Sequence, residues 1–155
     1  IRFLFNLIKN YFNKEIINVT KQGIKLNIIG DLNPLSKDLR KTLIKSVELT
    51  KKNRKILVNL AINYGSKNEI LKAARKSQKN FNLKNFEKNL DTKNQPNPDI
   101  LIRTGGHQRL SNFMLWQLAY AEFFFLKKLW PDFSPKDLSK IIQKYKNKKR
   151  NYGAI

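Results

Sequence analysis

The sequence has no cysteine, a single histidine and a single methionine among its 155 residues. Without cysteine the chain can form no disulfide, no thiolate metal site and no thiol nucleophile, and one histidine excludes a metal site built from several histidines. No apolar run approaches the roughly 20 residues that a membrane-spanning helix requires. The hydrophobic fraction of 41%, with 10 Phe, 5 Tyr and 2 Trp, instead predicts a folded chain with a core.

Acidic residues are scarce as well, because 11 Asp and Glu stand against 32 Lys and Arg, for a net charge of +21. Of the basic residues, 25 are lysine and only 7 are arginine. Lysine, asparagine and isoleucine all use A/T-rich codons, so genome base composition is a sufficient explanation of much of this excess. Phosphate and base recognition also favours the arginine fork over lysine. Specific nucleic-acid binding is therefore not favoured, while nonspecific attraction to anionic membranes or phosphorylated substrates stays open.

Hydrophobic periodicity predicts helices that alternate with short strands. Apolar residues at helical spacing predict a first helix that Gly23 ends, and the polar stretch 78–97 predicts a mobile surface connection with a short helix around 81–90. The predicted strands are residues 24–29, 56–62, 99–103 and 122–125. The other predicted helices begin after Ser36, run over 66–79 from a capping box at 66–69, run over 112–121, and begin at Ser134. This alternation predicts an α/β fold, with a mostly parallel central sheet flanked by helices on both faces, as one domain over residues 1–155.

Several strand ends are followed by polar residues and glycines. These loops are residues 30–31, 63–65 and 103–106. Ligands of parallel sheets bind at the carboxyl ends of strands, so we expect the three loops to converge at one edge of the sheet. The aliphatic run 56–62 is typical of a strand covered on both faces.

The segment 103–112, RTGGHQRLSN, is the densest group of candidate functional residues. It follows a predicted strand, precedes a predicted helix and contains two of the seven arginines. Glycines let backbone N–H groups approach an anion, a helix N-terminus adds positive potential, and arginine forks fit phosphate oxygens. Arg103 and Arg109 therefore predict an oxyanion site, and the alternative is a tight turn with solvated arginines. His107 is interpreted as a surface-loop histidine.

Glu122 is an acid in an apolar context, between Ala121 and three phenylalanines. Such a carboxylate must be paired, protonated or bound to a metal, and a salt bridge to a nearby Lys or Arg explains the pattern nearly as well as a metal does.

Trp116 and Trp130 lie at positions where packing in the core is favoured over stacking on a substrate.

Three ordered blocks carry a family resemblance: DILIRTGG at 99–106, RLSNFMLWQLAYAE at 109–122 and LWPDF at 129–133. They resemble the C-terminal signatures of the cis-prenyltransferases, the undecaprenyl diphosphate synthase family, also called isoprenyl transferases. Weaker collinear similarities lie at 28–31 and 59–65, so the resemblance extends over essentially the whole chain.

The resemblance implies a transferase that adds isopentenyl diphosphate to an allylic diphosphate such as farnesyl diphosphate, with Mg²⁺, to make a cis-polyprenyl diphosphate. It implies that the isopentenyl diphosphate is held by Arg103, Arg109, Leu110 and Ser111, and that Glu122 helps to bind Mg²⁺. It also implies a homodimer that is cytoplasmic and loosely associated with membranes.

The sequence also departs from the family pattern. The Asp-Gly-Asn-Gly-Arg block that carries the family's catalytic Asp is missing, so we expect the C-terminal two-thirds of such an enzyme, with no catalytic residue in this chain and no activity by itself. His107 stands at a usual Glu and Ser66 at a customary Gly, and the connection before Pro96 is shorter than usual. The alternatives are a non-catalytic partner subunit of a heteromeric cis-prenyltransferase and, remotely, a basic RNA-binding domain.

Overall fold

The computed structural model describes residues 2–148 of the chain. In this part the chain forms two compact units, one that ends at Tyr64 and one that begins at Gly65. Each unit contains one pair of parallel strands together with helices, which confirms the predicted α/β class. The single domain over residues 1–155 stays a prediction.

The first unit packs two helices beside a pair of parallel strands. Its elements are α1 (Arg2–Lys21), β1 (Ile24–Ile29), α2 (Lys37–Thr50) and β2 (Ile56–Ala61). The predicted cap of α2 is confirmed, because the Ser36 side chain accepts a hydrogen bond from the Leu39 N–H. The core of the unit is formed by the buried side chains of Leu35, Leu39 and Leu43.

Strand β2 is less covered than its aliphatic sequence predicts. Ile56 is 54% exposed and Leu57 41% exposed. Successive strand side chains point to opposite faces, so both faces of β2 begin at the surface of the unit. Within the described residues β2 pairs with β1 alone, which leaves one of its edges without a partner strand. Ala61, the last residue of the strand, is exposed as well, so the prediction that the whole strand is covered on both faces is wrong for Ile56, Leu57 and Ala61.

The second unit contains three helices and the other parallel pair of strands. Its elements are α3 (Ser66–Ser77), α4 (Leu83–Glu87), β3 (Ile100–Arg103), β4 (Glu122–Phe125) and α5 (Pro135–Lys146), with single 3₁₀ turns at Gln78–Asn80 and Trp130–Asp132. Ile100 lies opposite Glu122 and Arg103 lies opposite Phe125. All four predicted strands are thus present, with ends within one residue of the prediction.

The polar stretch 78–97 lies mostly at the surface, as its composition predicts, and contains the predicted short helix as α4. Its mobility stays a prediction, and two of its apolar side chains are buried. Phe86 and Leu90 are 5% and 4% exposed and pack with Ala73 of α3. The Phe86 ring also lies 4.5 Å from the Trp116 ring, measured between centroids. A few apolar side chains therefore hold a segment that is otherwise rich in Asn and Lys.

The helix predicted over 112–121 is absent, and a series of turns replaces it. Ser111, Asn112 and Met114 have φ angles of 49°, 61° and 45°, in the left-handed region that a right-handed helix cannot include. The capping box predicted at 66–69 is also wrong. Ser66 is the first residue of α3, Gly65 occupies the N-cap, and the structure gives that position no side-chain cap.

Ser134 caps the start of α5 as predicted, and the structure shows in addition a full capping box with Asp137. Asp137 accepts hydrogen bonds from the Ser134 N–H at 2.9 Å and the Ser134 hydroxyl at 2.7 Å, and the Asp137 N–H bonds the Ser134 Oγ. The Lys128 Nζ donates to both carboxylate oxygens of Asp137 at 2.9 Å. The Lys128 ammonium, together with the Ser134 donors, lowers the pKa of Asp137 well below its usual range.

This lowered pKa predicts that Asp137 stabilises the fold in a pH-dependent way. The stabilisation is fully present above the unfolded carboxyl pKa of about 4 and is lost as the pH falls towards the folded value. We expect Asp137→Asn to lower the melting temperature at neutral pH, with a difference from the wild type that shrinks below about pH 4. Thermal melts across this range test it. Asp132→Asn removes the same charge close by and is the control, and a difference constant with pH would contradict the prediction.

Candidate functional site

The loop that follows β3 is shaped by two glycines in the left-handed backbone region. Gly105 and Gly106 have φ angles of 88° and 77°, which residues with a side chain rarely adopt. Their N–H groups donate to the carbonyl oxygens of Lys128 at 2.7 Å and Leu126 at 2.8 Å. These two amides are therefore used inside the protein and are not available to an anion, while an anion site at other N–H groups of the loop stays a prediction. The glycines instead fold the loop back beside the end of β4.

Arg103 brings the predicted site residues together. Its Nη1 donates to the carbonyl oxygen of Arg109 and, at 3.2 Å, to the hydroxyl oxygen of Ser111. The structure gives no further hydrogen bond to this guanidinium within residues 2–148. The Nη1 of Arg103 therefore holds the loop in a bent conformation, and the other N–H donors of the guanidinium stay available for a ligand.

The loop is strongly electropositive. The segment 103–112 contains two arginines and no acidic residue. The Arg109 side chain has no ion pair or hydrogen bond to any part of the chain that the structure describes, and both Arg109 and His107 are exposed. Leu110 is half-buried, and its carbonyl oxygen accepts the Phe113 N–H at 3.0 Å. Two guanidinium groups without a carboxylate partner match the charge and the geometry of phosphate oxygens.

Helix α3 holds the far end of this loop through contacts that the sequence did not predict. The Asn112 carbonyl oxygen accepts the Ser66 N–H and its Oδ1 accepts the Lys67 N–H, both at 2.8 Å. The Ser66 hydroxyl, fully buried, accepts the Leu115 N–H at 2.9 Å. These partners lie 45 to 49 residues apart along the chain, and no local pattern signals such pairs.

A buried network of hydrogen bonds holds the same segment in place at Gln117. The Gln117 Nε2 donates to the Glu69 carboxylate at 3.1 Å and 3.2 Å and to the Thr92 hydroxyl at 3.1 Å. Gln117 is 1% exposed and Glu69 is 5% exposed. Hydrogen bonds to a buried carboxylate are strong and costly to remove, so they fix the position of the chain here.

Glu122 lies away from the arginines. It is the first residue of β4 and pairs with Ile100, whereas Arg103 pairs with Phe125. Three strand residues separate the two levels, which is a backbone distance of about 10 Å. The Glu122 carboxylate accepts a hydrogen bond from the Lys148 Nζ, the salt-bridge alternative that the sequence left open.

The residues around Glu122 do not by themselves complete a magnesium site. Mg²⁺ requires near-octahedral oxygen ligation, commonly from one or two carboxylates, waters and substrate phosphates. Among residues 2–148 no group of three or more Asp, Glu, His or Cys side chains is placed to hold a metal. Glu122 supplies one carboxylate that a lysine already neutralises, so its role as a ligand stays a prediction.

The two tryptophans behave differently. Trp116 packs on Phe86, and its Nε1 donates to Glu87 at 3.3 Å, which agrees with the prediction of core packing. Trp130 is 72% exposed and stacks on Phe133, with ring centroids 5.7 Å apart. The prediction of core packing is wrong for Trp130, because its 3₁₀ turn places the indole at the surface of the unit.

The chain is similar in sequence to known prenyltransferases. Residues 1–153 match a prenyltransferase family model described as "Putative undecaprenyl diphosphate synthase". An isoprenyl transferase of Rickettsia bellii is 41% identical over an alignment of 157 positions, which covers 99% of this chain and 70% of that protein. An isoprenyl transferase of Clostridium tetani is 38% identical over an alignment of 165 positions, which covers 100% of this chain and 65% of that protein.

Two crystal structures share the fold. A "probable undecaprenyl diphosphate synthase" from Campylobacter jejuni superposes with a TM-score of 0.90 at 33% identity, over 99% of this chain and 74% of that one. Lavandulyl diphosphate synthase from Lavandula x intermedia, in complex with dimethylallyl diphosphate, superposes with a TM-score of 0.91 at 34% identity, over 99% of this chain and 71% of that one.

The chain spans 60 to 70% of the length of the curated relatives that it matches. Within residues 2–148, no helix combines the length and the apolar character needed to span a bilayer.

Proposed function

This chain belongs to the undecaprenyl diphosphate synthase family of prenyltransferases, and from that premise we propose that it forms part of an enzyme that condenses isopentenyl diphosphate onto an allylic diphosphate. The product would be a cis-polyprenyl diphosphate for carrier-lipid synthesis. The observation that carries the proposal is the loop 103–111, in which Arg103 bonds both the Arg109 carbonyl and the Ser111 hydroxyl.

We assign the isopentenyl diphosphate to this loop, with Arg103, Arg109, Leu110 and Ser111 around its diphosphate end. Arg103 has unused N–H donors, and the Arg109 side chain has no hydrogen-bond or ion-pair partner within residues 2–148. A diphosphate would satisfy both guanidinium groups by charge-assisted hydrogen bonds. The dimethylallyl diphosphate in the lavandulyl diphosphate synthase structure supports a prenyl diphosphate as the class of ligand.

Calorimetric titration of the chain with isopentenyl diphosphate tests this assignment. We expect saturable binding that weakens as salt is added, because part of the attraction is between exposed charges. Inorganic pyrophosphate should compete for the same site, and isopentenol, which lacks the phosphates, should not. Salt-dependent binding of unrelated RNA with no response to isopentenyl diphosphate would contradict the proposal and favour the RNA-binding alternative.

We propose Glu122 as a ligand of Mg²⁺ that acts only together with a diphosphate, since one carboxylate cannot offset the dehydration of this ion. Mg²⁺ should bind the chain weakly and bind about fivefold or more tightly when isopentenyl diphosphate is present. Glu122→Gln should abolish that coupling, because the amide keeps the shape of the side chain and loses the charge. Calorimetry with and without the diphosphate measures the coupling.

Lys148→Met provides the matched variant for this test, since it removes the cation that now pairs with Glu122. If Glu122 binds the metal, Lys148→Met should strengthen Mg²⁺ binding in the presence of the diphosphate. Tight Mg²⁺ binding by the chain alone, or a coupling unchanged by Glu122→Gln, would show that Glu122 is only the partner of Lys148.

We also propose that the enzyme is a cytoplasmic homodimer in loose contact with membranes. The long lipid product and the net charge of +21, which favours anionic surfaces, support the membrane contact. Light scattering of the purified chain, and its sedimentation with anionic vesicles, test the two statements separately.

A further inference from the structure

Helix α3 contacts Asn112 at the end of the loop 103–111, the arginine loop, and this contact suggests a positioning function for Asn112. Asn112 follows Ser111, whose hydroxyl accepts a hydrogen bond from Arg103. Both polar groups that Asn112 offers as acceptors are used on α3, the backbone oxygen by Ser66 and the side-chain oxygen by Lys67. The chain therefore passes from a residue that Arg103 contacts directly to a residue that is fixed on a helix end.

We propose that Asn112 is a positioning residue for the diphosphate site, because it clamps the arginine loop to the N-terminus of α3. This inference rests on the proposed function of the loop. The clamp consists of Ser66, Lys67, Asn112 and Leu115. It has three hydrogen bonds of 2.8 Å to 2.9 Å, two from α3 amides to Asn112 and one from the Leu115 amide to the Ser66 hydroxyl.

The clamp serves the helix as well as the loop. The first N–H groups of an α-helix lack partners within the helix, and α3 has glycine at its N-cap with no side-chain cap. Asn112 supplies the missing acceptors from a distant part of the chain. Loss of such an acceptor would leave an N–H group of α3 unsatisfied. The position of Asn112 that satisfies the start of the helix is therefore also the position that holds the end of the loop.

The backbone conformation restricts which residues can do this. Asn112 has a φ angle of 61°, in the region that asparagine, aspartate and glycine adopt more readily than other residues. Gly65 leaves the space for its side chain, because a Cβ at position 65 would lie 2.9 Å from the Asn112 Nδ2. The Asn112 side chain can therefore be perturbed in two ways, by substitution of Asn112 itself or by addition of a side chain at position 65.

Three variants of the full chain test the clamp. Asn112→Gly keeps the positive φ and the backbone acceptor for Ser66, and it removes the acceptor for Lys67. We expect faster amide hydrogen exchange at Lys67, little change at Ser66, and isopentenyl diphosphate binding about fivefold weaker. Gly65→Ala should act in the same direction by displacing the Asn112 side chain. The double variant should be no weaker in binding than Asn112→Gly, because the displaced side chain is then absent.

Ile141→Val is the control, since it trims a buried side chain of α5 and lowers stability without touching the clamp. Affinity lost by Asn112→Gly but kept by Ile141→Val at a similar melting temperature supports positioning. Unchanged exchange at Lys67 overturns the clamp, whereas faster exchange with unchanged affinity overturns the positioning role. If the wild type binds no isopentenyl diphosphate but Lys67 exchange rises in Asn112→Gly, the proposed function fails while the contact stands, and the positioning role falls with it.

Discussion

The 155-residue chain, incubated with farnesyl diphosphate, labelled isopentenyl diphosphate and Mg²⁺, is expected to give no detectable polyprenyl diphosphate. Condensation requires two diphosphates to be held with their reacting carbons in contact. We propose that the loop 103–111 holds one of them, and the sequence contains no Asp-Gly-Asn-Gly-Arg stretch, which the family resemblance assigns to the other.

The expected loss is large because positioning contributes so much to a reaction between two molecules. Holding two reactants in the correct geometry is worth effective concentrations of about 10⁵ M or more. A chain that binds isopentenyl diphosphate and leaves the allylic partner in solution forfeits this advantage. Turnover should therefore fall by about 10⁵-fold or more relative to an enzyme that holds both substrates.

The isoprenyl transferase of Rickettsia bellii, assayed in parallel, is the positive control. Turnover by this chain within tenfold of that control would contradict the prediction. Product that appears only after a second protein with the Asp-Gly-Asn-Gly-Arg loop is added would favour the partner-subunit alternative. A test of isopentenyl diphosphate binding by the same sample separates an inactive chain from an unfolded one.

The strands were predictable from the sequence because each is a short aliphatic or aromatic run bounded by turn residues. The strand β1, Ile24–Ile29, ends at Gly30, and β3, Ile100–Arg103, ends shortly before Gly105 and Gly106. The cap at Ser134 was predictable for the same reason, since Ser134 and its partner Asp137 lie three residues apart. Local sequence decides these features, and no distant contact overrides it.

The segment 111–121 was not predictable, because distant residues determine its conformation. Its apolar spacing suits a helix, yet Asn112 bonds α3 and Gln117 bonds Glu69 and Thr92. Those partners are 25 to 48 residues away, and they favour a left-handed backbone at the start of the segment over helical bonds within it. Tertiary contacts of this kind leave no periodic signal.

The candidate site was predictable in part. Arginines beside glycines at a strand end indicated Arg103 and Arg109, and the structure places the Arg103 guanidinium on the Arg109 backbone and the Ser111 hydroxyl. The use of the glycine amides was not predictable, since it depends on the carbonyls that follow β4. The separation of Glu122 from Arg103 depends on the strand register, which the sequence alone does not give.

Arg103→Ala is expected to weaken isopentenyl diphosphate binding about 10- to 100-fold, since a charge-assisted hydrogen bond contributes on the order of 1.5 to 3 kcal/mol. Arg103 acts twice, because its Nη1 shapes the loop and its other donors remain for the ligand. We therefore expect a larger loss than in Arg109→Ala, where the backbone carbonyl that Arg103 contacts is retained.

Arg103→Lys distinguishes the two contributions of Arg103 to affinity. The lysine ammonium keeps the charge but lacks the planar fork, so it cannot hold the Arg109 carbonyl, the Ser111 hydroxyl and a diphosphate in one geometry. Only part of the affinity should return. Arg75→Ala is the matched control, because Arg75 is an exposed arginine of α3 in the same unit and its loss changes the net charge equally. Calorimetric titration of the four variants with isopentenyl diphosphate measures these losses. If Arg103→Ala and Arg75→Ala bind the diphosphate equally well, Arg103 only closes a turn and the oxyanion assignment is wrong.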